Sequence, residues 1–261
     1  MSEFKGKVAI VTGGASGMGK AVAKRLIAYG ARVCIFDISM EKIHECIKQI
    51  NGEEGQAMAV VCDISDAKDV EQGVKDVMEQ WGRLDMVFAN AGIAGTLAPI
   101  ETMDIEEWDK TIGTNVRGTF ATVKYSIPYL KEDGGSIVIN SSVSGNRVFS
   151  QAGFCAYSTS KAAEVAFMKM AALELAQYKI RVNTICPGAI KTNIGESIHK
   201  SKDLKEVSIP MEFPEGDQPL EHRPGSVEQV ADLVEFLLSP RSSHITGTEI
   251  YIDGGESLLR G

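Results

Sequence analysis

The stretch Val8-Ala9-Ile10-Val11-Thr12-Gly13-Gly14-Ala15-Ser16-Gly17-Met18-Gly19 decides the fold. Its first four residues are apolar without a break, as in a strand covered on both faces. Glycine then takes positions 13, 14, 17 and 19. A helix-period segment follows, with Val22, Leu26, Ile27 and Tyr29 on one side, and stops at Gly30. A strand, a glycine-rich turn and a helix N-terminus make a cradle for phosphate. Backbone N–H groups and the positive helix end face the anion, and the missing Cβ atoms let it come close. The plain alternative is a tight turn that packs a helix on a sheet.

The alternation continues outward. Strand candidates are Val33–Phe36, Met58–Val61, Met86–Phe88, Ile137–Ile139, Arg181–Ile185 and Glu249–Ile252. Helix-period segments run over Ala67–Gln80, Ile105–Leu130 and Tyr157–Tyr178. Strands alternating with helices imply right-handed crossovers, a parallel sheet and a doubly wound, Rossmann-like α/β fold. Residues 193–225 break the pattern: they are polar, hold Pro210, Pro214, Pro219 and Pro224, and lack a period. Such a stretch inside a compact domain reads as a substrate lid, the alternative being a disordered insertion. Ser226–Leu238 resumes helical spacing, with Ser226 as N-cap. The 261 residues are expected to form a single domain, 1–261.

Composition narrows the function classes. Glycine is 26 of 261 residues, about 10% against an average near 7%, in otherwise ordinary globular usage. A disordered, collagen-like or disulfide-stapled chain is excluded. A net charge of −8 argues against nucleic acid and anionic membrane as partners. Cys34, Cys46, Cys62, Cys155 and Cys186 are odd in number and form no C-x-x-C, as expected of reduced thiols. His44, His199, His222 and His244 show no ligand spacing, so no metal is expected. The chain enters an apolar strand at once after Met1–Lys7, without a signal-peptide pattern, and no apolar run approaches a membrane span. A soluble, cytoplasmic protein is the expectation.

Several motifs carry chemistry. Gly14-x4-Gly19-Lys20 satisfies most of a P-loop, but Ala21 stands where a hydroxyl must hold Mg²⁺. Asp37 ends the second strand, 18 residues after Gly19, near the spacing at which an acidic residue binds an adenosine ribose and repels a 2′-phosphate. Asp63 and Asn90-Ala91-Gly92 follow the third and fourth strands, where open α/β sheets bind ligands, although each alone reads equally well as a turn. Tyr157 and Lys161 are four apart on one helix face. The ammonium favours phenolate, so the tyrosine can exchange a proton with an alcohol or ketone oxygen. Ser141-Ser142 closes the strand just upstream, where a hydroxyl can steady the reacting oxygen. Strand alternation puts Asn140 and Ser142 on one side and Ser141 on the other.

Taken in this order, Thr12-Gly13-x3-Gly17-x-Gly19, Asn90-Ala91-Gly92, Asn115, Ser142, Tyr157-x3-Lys161 and Pro187-Gly188 resemble the short-chain dehydrogenase/reductase family over essentially the whole chain. The resemblance implies a seven-stranded parallel sheet and an oxidoreductase that passes hydride between NAD(H) and a secondary alcohol or ketone. It implies Tyr157 as general acid/base and Lys161 as holder of the nicotinamide ribose. Ser142 then hydrogen-bonds the substrate oxygen, and Asn115 shapes a helix break that holds a proton-relay water. Gly13, Ser16, Gly17, Met18 and Gly19 would cradle the cofactor. Asp63 and Ile64 would touch its adenine, Asn90, Ala91 and Gly92 would line its path, and Pro187, Gly188, Ile190 and Thr192 would hold its carboxamide. Aspartate at position 37 goes with NAD in that family, which is usually homotetrameric and uses its C-terminal strand and tail in subunit contact.

The chain departs from the family pattern in two places. Ser142 and Tyr157 are 15 apart, two more than is commonest, and the usual count lands on Ser144. Ser142 is preferred because Ser142-x-x-Gly145 matches the family's S-x-x-G. The Pro-rich lid is the second departure. Substrate-pocket candidates are Ser142, Ser144, Arg147, Phe149, Phe154, Tyr157 and Ile194. The alternatives are a 3-oxoacyl-thioester reductase of fatty-acid synthesis, an idle NAD-binding module and the P-loop protein.

Overall fold

The computed structural model describes residues 3–50, 55–149, 152–192, 194–210, 212–213 and 216–260. Its strands are β1 (Val8–Thr12), β2 (Arg32–Asp37), β3 (Ala57–Val61), β4 (Met86–Ala89), β5 (Gly95–Leu97), β6 (Gly135–Asn140), β7 (Ile180–Pro187), β8 (Ile198–Lys200) and β9 (Glu249–Ile252). Seven of them form one parallel sheet in the order β3-β2-β1-β4-β6-β7-β9. These are the seven runs expected from the sequence.

Strand alternation sorts the core into two layers. Val8, Ile10, Cys34, Phe36, Val87 and Ile137 face α3 (Ala67–Trp81), α5 (Gly118–Leu130) and α6 (Cys155–Leu175). Ala9, Val11, Val33, Ile35, Phe88 and Val138 face α1 (Gly17–Ala28), α2 (Met40–Gln49) and α8 (Val227–Leu238). Apolar residues at successive positions thus fill both faces. Side chains cap the helices where the sequence supplies them. Ser39 accepts from the Lys42 N–H, and Ser226 and Gln229 form a capping box. Tyr29 lies beyond α1 and is exposed, so it does not extend the apolar side of that helix as expected. No helix among the described residues is long and apolar enough to cross a membrane.

Two regions carry more structure than their sequences suggest. The expected helix over 105–130 is α4 (Ile105–Ile112), one wide π-type turn over Gly113–Arg117, and α5. Asn115 lies in that turn, at the expected break. The segment expected as a lid is tied to the rest of the fold near both ends. Its β8 pairs in parallel with β5, the Ser197 hydroxyl accepts from Ala94 N–H, and Ser201 N–H donates to Leu97. A short α7 (Leu204–Val207) follows. Further on, Gln218 donates to Ala189 O and Leu220 N–H to Gly254 O, next to α9 (Glu256–Arg260). Three-residue strands leave no readable alternation, so β5 and β8 escaped the sequence. Asn193, Met211, Pro214 and Glu215 of the lid, and Ser150 and Gln151 before α6, lie outside the described residues.

At the opposite end of the sheet, Asp85 is 4% exposed and accepts from Val8 N–H, Lys7 and Arg83. Burial alone would raise its carboxyl, but the two cations and the N–H outweigh burial and hold it below the ordinary carboxylate range. The unfolded carboxyl binds its proton more readily than the folded one. This stabilisation is therefore whole at neutral pH and fades as pH falls through the folded value. Because Lys7 and Arg83 remain partly solvated, Asp85→Ala is expected to cost only about 2 kcal/mol at neutral pH. Thermal unfolding should show a smaller cost near pH 3.

Candidate active site

The strand order reverses between β1 and β4, and a cleft opens at their C-terminal ends. Thr12 closes β1, and its hydroxyl accepts from both Asn90 N–H and Ala91 N–H, at 2.9 and 3.0 Å. The Asn90 amide donates to Thr12 O and Gly13 O and accepts from the Asn140 amide. Asn90, expected along the cofactor path, thus also braces the glycine-rich loop. Gly13 turns that loop with φ +61°. At Gly19 a Cβ would lie 2.3 Å from Gly13 O and 2.8 Å from the Asn90 amide nitrogen, so any side chain would force the turn open. Ser16 precedes α1 without a side-chain capping bond, leaving the first-turn N–H groups to a ligand. Met18 packs, partly buried, against the core beneath. A glycine cradle at the N-terminus of a 12-residue helix fits a dinucleotide phosphate.

The neighbouring strand ends extend the cleft. Asp37 ends β2, and its carboxylate accepts from Ala15 N–H and Ser39 N–H, both at 3.1 Å. Ser39, not Asp37, caps α2. Asp63 accepts from Ser65 N–H after β3, while Ile64 is 6% exposed and packs against Gly118. Lys20, the lysine of the P-loop alternative, donates to Gln49 at 2.6 Å, on a neighbouring helix. Pro187 ends β7, and Gly188 N–H donates to Ile252 O. Ile190 bridges to Gly225 at the base of the lid, and Thr192 approaches Gly17 across the cleft.

The candidate chemical centre lies on α6. Tyr157 is half-buried and meets Phe154 edge-on. Lys161 is buried, its ammonium 5.7 Å from the centre of the Tyr157 ring. The ammonium donates to Asn140 O at 2.8 Å and to both Glu164 oxygens at 3.2 and 3.0 Å. Ser141 turns away and donates to Lys161 O at 2.7 Å, whereas Ser142 starts a tight turn and accepts from Ser144 N–H. This is the alternation expected from the strand. Asn115 is fully buried. Its amide oxygen accepts from Ile93 N–H, and its NH₂ donates to Ile93 O and Ser160. It therefore ties the wide turn to the loop after Gly92 and to α6.

Other pocket candidates differ in placement. Phe149 is 66% exposed. The Arg147 guanidinium stacks over Tyr251 and donates to Ser257, so it is engaged by the C-terminal segment. Of Ile194 only the backbone, at the start of a 3₁₀ turn, is described. Sequence reasoning missed Thr12 as a clamp, and Ser160 and Glu164 as partners. Glu164 is three residues from Lys161, a readable helical spacing, but a carboxylate on a helix is usually solvated and only the packing buries this one. Among the described residues, no cluster of three or more His, Cys, Asp or Glu could hold a metal ion.

Residues 13–257 match a family model described as enoyl-(acyl carrier protein) reductase. A 3-ketoacyl-ACP reductase from Sinorhizobium meliloti is 44% identical and superposes with a TM-score of 0.92, over 97% of this chain and 100% of that one. A 3-ketoacyl-(acyl-carrier-protein) reductase from Brucella melitensis, solved with NADH, is 31% identical with a TM-score of 0.85, over 97% of this chain and 99% of that one. Levodione reductase from Leifsonia aquatica is 34% identical, over 98% of this chain and 96% of its own length. With a glycine cradle, a Tyr-x3-Lys helix and relatives that match end to end, the chain belongs to the short-chain dehydrogenase/reductase family and is an oxidoreductase of a small-molecule alcohol or ketone that uses a nicotinamide cofactor.

Proposed function

We propose an NAD-preferring dehydrogenase/reductase in which Tyr157 is the general acid/base on a secondary alcohol or ketone. The observation that carries this reading is the buried Lys161 ammonium beneath the Tyr157 ring, beside the serine-bearing end of β6. When bound, the nicotinamide cofactor supplies the hydride exchange at the substrate carbon. Tyr157 gives its hydroxyl proton to a ketone oxygen, or takes one from an alcohol. Ser142 hydrogen-bonds that oxygen and steadies its charge, because its hydroxyl accepts from Ser144 N–H and keeps its own proton to donate. Ser141 is committed to α6, which supports Ser142, with Ser144 beside it in the substrate pocket. Lys161 holds the nicotinamide ribose, and the Asn115 turn holds a relay water.

Gly13, Ser16, Gly17, Met18 and Gly19 hold the phosphates in this reading. Asp63, Ile64, Asn90, Ala91, Gly92, Pro187, Gly188, Ile190 and Thr192 line the rest of the cofactor. Asp37 selects NAD. An ionised carboxylate has about four acceptor sites, and two are taken by Ala15 and Ser39, leaving two for the ribose hydroxyls. Its charge repels a 2′-phosphate. Residues 1–261 then work as one domain, with 193–225 as lid. Exposed Phe120, Met170, Leu173, Leu258 and Leu259 support a homotetramer, which sedimentation would test. Five free thiols support a cytoplasmic setting. A 3-oxoacyl thioester is the second substrate reading, favoured by the likeness to the Sinorhizobium meliloti protein.

Tyr157→Phe is expected to lower turnover by about 10²- to 10⁴-fold while leaving NADH affinity nearly intact, in steady-state kinetics and fluorescence titration. Retained turnover would remove Tyr157 from the chemistry. NADH is expected to bind more than about tenfold tighter than NADPH, and Asp37→Ser to narrow that gap. Equal affinities in the parent protein would overturn the role of Asp37. Rates on a panel of secondary alcohols, ketones and 3-oxoacyl thioesters would choose between the substrate readings.

A further inference from the structure

Glu164 has no part in the chemistry above, yet it is the most intimate partner of Lys161. Its side chain is 1% exposed and that of Lys161 is 4% exposed. An ammonium has three N–H donors. Here the ammonium lies within hydrogen-bond distance of Asn140 O and of both Glu164 oxygens. Thr119 donates to the same carboxyl from α5 at 3.4 Å. Tyr157 and Cys186 are the other titratable groups that bear on Lys161. Burial pushes the Cys186 thiol up to about 12, so it stays neutral.

We propose that Glu164 is a positioning residue for the reaction: its buried carboxylate cancels the Lys161 charge and so keeps Tyr157 in its proton-donating form at neutral pH. The inference rests on the reading of Tyr157 as general acid. Its physics is charge counting in a pocket that water barely reaches. With Glu164 ionised, Lys161 and Glu164 sum to zero, and ionising Tyr157 leaves a lone negative charge. With a neutral residue at 164, the same ionisation leaves a neutral pair. A carboxylate therefore makes the phenol harder to ionise, which favours proton delivery to a ketone over proton removal from an alcohol. Burial also works on Glu164 itself, raising its carboxyl above the ordinary range against the pull of Lys161 and Thr119.

Ultraviolet titration of tyrosinate tests this without substrate or cofactor. The curve of a Tyr157→Phe version is subtracted from its parent, so that Tyr157 alone is read. Glu164→Gln keeps shape and hydrogen bonding but removes the charge, and should move the midpoint down by about one pH unit. The acid limb of alcohol oxidation with NAD⁺ should move down with it. Glu164→Met is a second neutral variant with the same expectation, in case glutamine disturbs folding. Glu164→Asp keeps a carboxylate and should titrate like the parent. A midpoint that stays or rises in both neutral variants overturns the proposal, and so does an aspartate variant that shifts as far as they do. If Tyr157→Phe retains turnover, the reading of Tyr157 fails, while the absorbance titration still decides the coupling to Glu164.

Discussion

The cleft depends on one clamp. Thr12 and Asn90 join the ends of β1 and β4 through four hydrogen bonds, at the place where the strand order reverses. A parallel sheet leaves its strand ends unpaired on one rim, and a crevice forms where the crossovers diverge to opposite faces. The glycine-rich loop has few side chains with which to hold itself in that crevice. Its shape is imposed from outside: Phe36 O receives Gly13 N–H, the Asn90 amide grips Gly13 O, and Asp37 receives Ala15 N–H. The carboxylate proposed to read the ribose therefore also shapes the glycine-rich loop.

The candidate chemical centre is joined to this clamp by a chain of buried amides and charges. Asn90 touches Asn140, Asn140 O receives the Lys161 ammonium, and Ser160 beside it receives the Asn115 amide. Each link lies in a different element: the loop after β4, the end of β6, α6, and the wide turn between α4 and α5. Buried polar groups must find partners, so these elements have little freedom to shift independently. The glycine-rich loop and the Tyr157–Lys161 pair are thereby held in fixed relation. The two buried acids do opposite work. Asp85, at the far rim, fastens the sheet to cations that still touch water, whereas Glu164 faces a cation sealed from it.

Much of this was legible in the chain because its rules are local. Apolar runs with β-branched residues gave the seven strands. Glycine spacing gave the cradle, and helical spacing put Tyr157 and Lys161 on one face. The break at Asn115 came from the family resemblance, and the wide turn lies there. The lid's two-stranded sheet was not legible, because a strand of three residues shows no period and its partner lies about a hundred residues away. Arg147 looked like a pocket residue by position, yet its guanidinium found the Tyr251 ring on another strand.

The sequence by itself determined the fold class and the cofactor type, and it put Tyr157 and Lys161 on one helix face, since each follows from residue type at short, fixed spacing. Only the tertiary structure decided which serine faces α6, which loop Asn90 braces, and that Glu164 lies sealed against Lys161. Those are questions of burial and of contacts between distant segments. A charged side chain on a helix reads the same whether it meets water or an ammonium, until the chain has packed around it.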